Sequence, residues 1–160
     1  MELWCVHCAR ASHDELSNSP RCAFPQLRER LRKLCTYFEQ ILETGLRNVP
    51  KELLSLRERE IPADYPSHVF SPIFPLISHS PKMLEDFLRP FGYAVTAIPY
   101  PTVPKGEERI RVVLHATNTE EELDQFVTRM LQWVTLMLAA EQRKKEKRVE
   151  RPQAQLRASL

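Results

Sequence analysis

The chain has 160 residues, of which 42% are hydrophobic and 28% charged, with a formal net charge of +2. That length and composition suffice for one domain with a sizeable core; the small net charge gives no basis for a nucleic-acid surface, and no apolar run approaches the ~20 residues of a membrane span. The start of the chain lacks a charged region followed by an apolar one, so the sequence reads as unsecreted and cytoplasmic, with its 4 cysteines as reduced thiols rather than a disulfide framework.

Proline is frequent (13) and glycine scarce (3). Gly45, Gly92 and Gly106 each stand where a regular element should end, and none belongs to the clustered glycines that let backbone N–H groups cradle a phosphate.

Residues 1–23 read as a divergent, weakly structured leader, because Ser, Asn, Asp and His break any apolar period. Cys5, His7, Cys8, His13 and Cys22 raise a zinc reading. A lone CxxC without a second ligand pair favours reduced thiols, so no metal is expected. From Pro25, the spacing of Leu27, Leu31, Leu34, Phe38, Ile41 and Leu42 predicts an amphipathic helix that includes Cys35 and stops at Gly45.

"PKELLSL" predicts a short helical turn with Pro50 in its first turn, followed by a proline-punctuated loop through Pro62 and Pro66. His68 to Ser78 is rich in branched and aromatic residues, but Pro72 and Pro75 cannot donate ladder hydrogen bonds, so an edge or bulged strand is predicted. Ser80 should cap a helix with Pro81 in its first turn, Leu84, Phe87 and Leu88 on its apolar face, and Pro90 with Gly92 as its stop.

Tyr93 to Ile98 reads as a strand, and "VPKG" as a type I turn with Pro104 second and Gly106 fourth. Arg109 to Ala116 is the next strand. Thr119 and Glu122 form a capping-box pattern that opens a long helix with a stripe of Leu123, Phe126, Val127, Met130, Leu131, Val134, Met137 and Leu138. Residues 141–160 lose that stripe and read as a frayed, charged tail. Glutamates interrupt its basic run, so a solvated helix end is favoured over a polyanion site. The order predicts an α/β (α+β) fold: a small, mainly antiparallel sheet of about three strands covered by helices.

Alternation along the last strand puts Arg109, Arg111, Val113 and His115 on one face and Ile110, Val112 and Leu114 on the other, which is the core face. Two guanidiniums beside a proline-stiffened turn could hold a carboxylate in a planar fork. The plain alternative is an exposed strand face. His115 has no nucleophile or carboxylate partner placed by sequence, so a packing or surface role is favoured.

"SPIFPLI", then a helix and a strand, then "PYPTVPKGEERIRVVLHATNTEEELDQF", resembles the small C-terminal domain of the α-oxoamine synthases. These are pyridoxal-phosphate enzymes of the class I/II aminotransferase-like superfamily, and the look is nearest to the fungal 8-amino-7-oxononanoate synthase-like branch. The resemblance covers roughly Phe24 to Trp133 and implies a small domain at residues 24–140. It further implies an acyltransferase that condenses an amino acid with an acyl-CoA in a biosynthetic pathway. By resemblance, Arg111 anchors the α-carboxylate of the amino acid, and Thr102 contacts the acyl-CoA-derived part of the substrate.

The family's Schiff-base lysine and phosphate-binding groups lie upstream of the matching region. None of Lys33, Lys51, Lys82, Lys105, Lys144, Lys145 and Lys147 lies in a small-residue, glycine-containing setting like that of the Schiff-base motif. The expectation is therefore a truncated enzyme with no catalytic or cofactor-binding residue of its own, forming no internal aldimine and inactive without a cofactor-binding large domain; the partners expected are a large domain or further copies of the chain. The alternative is a non-catalytic remnant or interaction module that keeps the fold.

Overall fold

The computed structural model describes residues 23–57 and 70–157. Helix α1 spans Ala23–Leu46, strand β1 Ser55–Leu56 and strand β2 Ile73–Ile77. Helix α2 spans Pro81–Leu88, strand β3 Thr96–Ile98, strand β4 Arg109–Val113 and helix α3 Glu120–Arg157. The sheet is antiparallel throughout, in the order β1-β2-β4-β3. This is the expected fold class, with a fourth strand where sequence reading placed only a helical turn. The turn is present, since Leu53 N and Leu54 N both donate to Pro50 O, and it delivers the chain directly into β1.

Strand β2 is therefore not at the edge. Leu114 N donates to Pro72 O at 2.9 Å and Ser78 N to Glu108 O at 2.9 Å. Bonded pairs alternate along an antiparallel ladder, so the opposed pair Pro75 and Arg111 falls where β4 asks for no donor. The outer side of Pro75 still serves as an acceptor, taking Arg57 N at 3.1 Å. A proline is tolerated here because the N–H it lacks would have pointed away from β4.

Side-chain alternation produces a one-sided core. Phe74, Leu76, Ile110, Val112 and Leu114 are buried beneath the helices. Leu34, Phe38 and Leu42 of α1, Leu84 and Leu88 of α2, and Phe126, Met130 and Val134 of α3 complete it. The predicted stripes thus face inward, with two differences. Leu27 is 47% exposed, on the first turns of α1, whereas Trp133, outside the predicted stripe, is 3% exposed. Helix α1 also runs one residue past Gly45, which is a packing position rather than a stop. A Cβ there would stand 3.3 Å from both Val127 and Leu131 of α3, so glycine allows the two helices to approach.

Two local devices differ from expectation and a third agrees with it. The hydroxyl of Ser80 makes no capping bond to α2; instead Ser78 Oγ accepts Ser80 N at 3.3 Å. The turn before β4 closes by Glu107 N donating to Pro104 O, which puts Gly106 third rather than fourth, with a φ of 91° that favours glycine. The capping box forms as predicted: Glu122 N donates to Thr119 Oγ1 at 3.3 Å, and Thr119 N donates to Glu122 Oε2 at 3.2 Å. Past the apolar stripe α3 continues to Arg157, through a segment rich in Glu, Gln, Arg and Lys, which favour helix intrinsically, and across Pro152, which does not. The cysteine and histidine group of the leader lies outside the described residues, and no metal-holding cluster occurs among the described ones.

Thr119→Ala should lower stability by about 1 kcal/mol in urea unfolding, whereas Thr119→Asp, which restores an acceptor at the helix start, should recover most of the loss.

Candidate functional site

The face of the sheet opposite the helices carries Ile73, Pro75, Thr96, Arg109, Arg111 and Val113. It is accessible: Ile73 and Val113 are 43% and 41% exposed, and Arg111 is exposed as well. Arg111 lies in the middle strand, opposite Pro75 on one side and Thr96 on the other. Neither neighbour is charged. Among the described residues, Arg111 forms no ion pair and no side-chain hydrogen bond, so its five N–H donors are available.

Arg109 differs from it in surroundings. It lies between Ile77 and Ile98, its side chain is 18% exposed, and its Nη2 stands 3.6 Å from Glu107 Oε2. Its Nε is buried without a partner. Glu107 Oε2 also accepts Arg57 Nη1 at 3.1 Å. Sequence reading found both arginines but missed Glu107 and Arg57. Glu107 was within reach, since it stands two residues before Arg109 and so follows the same alternation. The contribution of Arg57 depends on β1, which no local pattern announced.

Thr102 belongs to the connection from β3 to β4. Its backbone N donates to Pro99 O at 3.0 Å across the cis Tyr100–Pro101 bond, and its side chain is exposed. The connection leaves β3 at Ile98 and re-enters at Arg109, which puts Thr102 beyond the Arg109 end of the strand rather than beside Arg111.

His115 is exposed, in line with a surface role, and its backbone N donates to Asn118 Oδ1 at 2.8 Å. It lies on the wall of a cavity of about 420 Å³, together with Phe91, Tyr93, Glu122 and Phe126. Burial pushes the Tyr93 hydroxyl above the usual tyrosine range. The Tyr37 hydroxyl is also raised, because it donates to Asp124 Oδ1 at 2.8 Å.

The described lysines do not fit the pyridoxal phosphate that the sequence resemblance implies. Lys82 is paired with Glu85 at 2.9 Å and Asp86 at 3.3 Å, which holds its ammonium above the ordinary range and keeps it protonated. A Schiff base needs the free amine. Lys33, Lys51, Lys105, Lys144 and Lys145 are exposed rather than enclosed in a site.

No family model matches the chain. Over 112 residues it is 39% identical to 8-amino-7-oxononanoate synthase of Emericella nidulans, a match that covers 70% of this chain and 25% of that protein. The chain is thus similar to one part of an α-oxoamine synthase-like protein. Aminoacyl transferase sphA of Byssochlamys spectabilis is 33% identical over 107 residues, covering 67% of this chain and 21% of the relative. The α-oxoamine synthase-like chain thus spans about a quarter of the length of such relatives or less. The crystal structure of 8-amino-7-oxononanoate synthase from Francisella tularensis superposes with a TM-score of 0.50 at 20% identity, covering 78% of this chain and 31% of that one, which is a likeness of fold.

Both tyrosine pKa values are raised in the folded state, so stability is fully present below the unfolded value of 10.0 and falls as pH rises through it towards the folded values. Tyr93→Phe and Tyr37→Phe should each flatten the loss of stability between about pH 9 and 11 in alkaline urea titrations.

Proposed function

We propose that this chain supplies the substrate-facing sheet of a pyridoxal-phosphate-dependent acyltransferase that condenses an amino acid with an acyl-CoA in a biosynthetic pathway. In this reading the described residues hold and orient substrate, and activity requires a cofactor-binding domain beyond them. The observation that carries it is Arg111, an exposed guanidinium at the centre of an accessible sheet face with no ion pair among the described residues. A planar fork of N–H donors suits a carboxylate better than the point charge of an ammonium. Fixing the α-carboxylate restricts rotation of the amino acid about its Cα, and such positioning lowers a barrier by removing orientational freedom in advance.

Thr102, on an exposed turn, is assigned to the acyl side of the substrate. The setting is the cytoplasm; among the described residues no helix is long and apolar enough to cross a membrane. The poor fit of the described lysines also supports a second reading, in which the chain is a non-catalytic module that retains the fold.

The two readings separate on reconstitution. Pyridoxal phosphate added to the purified chain should give no saturable aldimine band, and borohydride should label no single lysine stoichiometrically. Combined with a matching cofactor-bearing domain of the Emericella nidulans relative, the chain should gain activity. Arg111→Lys should then lower kcat/KM about tenfold or more, and by more than Arg109→Lys. Equal effects of the two substitutions would remove the assignment, and failure to gain activity with a folded partner domain would favour the non-catalytic reading.

A further inference from the structure

Two arginines on one face of β4 would ordinarily form a site for two carboxylates. Alternate residues of a strand stand about 6.8 Å apart on the same face, a separation that a short flexible dicarboxylate can bridge. Arg109 and Arg111 have this spacing, but their surroundings are unequal. Glu107 Oε2 stands 3.6 Å from Arg109 Nη2 and accepts Arg57 Nη1 at 3.1 Å, whereas Arg111 has no acidic neighbour among the described residues. From this geometry we infer that Glu107 is a specificity-determining residue. It engages Arg109 and leaves Arg111 as the one arginine of the pair offered to an anion, so that the face selects a substrate with one carboxylate over a substrate with two.

The hold on Arg109 is loose. One contact at 3.6 Å is not a bidentate fork, and the buried Nε of the same guanidinium has no hydrogen-bond partner among the described residues. Glu107 is also shared with Arg57, at the end of β1, which divides its charge between two cations. A guanidinium with unused donors and a single distant counter-charge is readily transferred to a better acceptor once that counter-charge is removed. Neutralising Glu107 should therefore release Arg109 to a second carboxylate and change the preference of the face, beyond raising its overall attraction for anions.

The inference rests on Arg111 as the carboxylate anchor, and the test separates the two claims. The full-length chain is titrated with acetate and with glutarate while the Nε–H resonances of Arg109 and Arg111 are followed by NMR. In the wild type both ligands should shift the Arg111 resonance with similar affinity, and Arg111→Lys should abolish binding of both. Glu107→Gln should tighten glutarate about fivefold, with a new shift at the Arg109 resonance, while acetate changes by less than about twofold. Adding Arg109→Lys to that variant should cancel the gain. Glu43→Gln, on the exposed surface of α1, removes one charge elsewhere and should leave both ligands unaffected.

An equal gain for acetate and glutarate in Glu107→Gln would reduce its role to net charge and overturn the inference. No gain for glutarate, or a glutarate preference already present in the wild type, would overturn it as well. Retention of acetate binding in Arg111→Lys would instead overturn the anchor assignment, while the Arg109 resonance in Glu107→Gln would still report on Glu107.

Discussion

The ring of Phe38 meets Phe74 edge-on, with centroids 4.9 Å apart and planes at 89°, and stands 5.9 Å from Phe126. One fully buried side chain of α1 thereby touches the middle of the sheet and the long helix together. Edge-to-face pairs are directional, so this contact fixes the rotation of α1 about its axis as well as its distance from the sheet. Everything on the far face of the sheet depends on this anchorage. With Phe74 pointing at Phe38, its neighbours Ile73 and Pro75 must point away, and by register so must Arg111 and Val113.

That dependence explains which parts of the molecule could be read from the sequence. The α3 capping box and the face assignment of Arg109 and Arg111 were legible because each rests on local spacing within one element. The stop assigned to Gly45 was misread, because its role is set by α3 across from it, and Ser80 stands at the N-cap of α2 as read but without the side-chain bond, its own N–H going to the Ser78 hydroxyl. Strand β1 was invisible for a related reason. Two residues carry no periodicity, and only pairing with Ile77 and Leu76 makes them a strand. The same limit hid Arg57, which reaches Glu107 across a sequence separation of 50 residues.

The contrast between the two arginines is one of environment rather than residue type. They share a strand, a face and a charge. Isoleucines from both neighbouring strands flank Arg109 and exclude solvent from its Nε, whereas Pro75 and Thr96 leave Arg111 open. Desolvation without full compensation makes a charged group costly to bury, and the single contact to Glu107 offsets that cost only in part. Removal of its aliphatic stem would therefore disturb the sheet as well as its electrostatics.

Pro75 has a bearing on how this sheet meets other chains. Exposed strand edges invite foreign strands, and proteins blunt them with short strands, charge and proline. An intruding strand that displaced β1 would find the backbone of Ile77 ready to pair and then, at Pro75, no donor to return the bond that Arg57 N now makes to the carbonyl. A replacement strand would therefore meet the same missing donor that β1 meets, one bond short at Pro75, while the inner side of β2 gives up nothing in its pairing with β4.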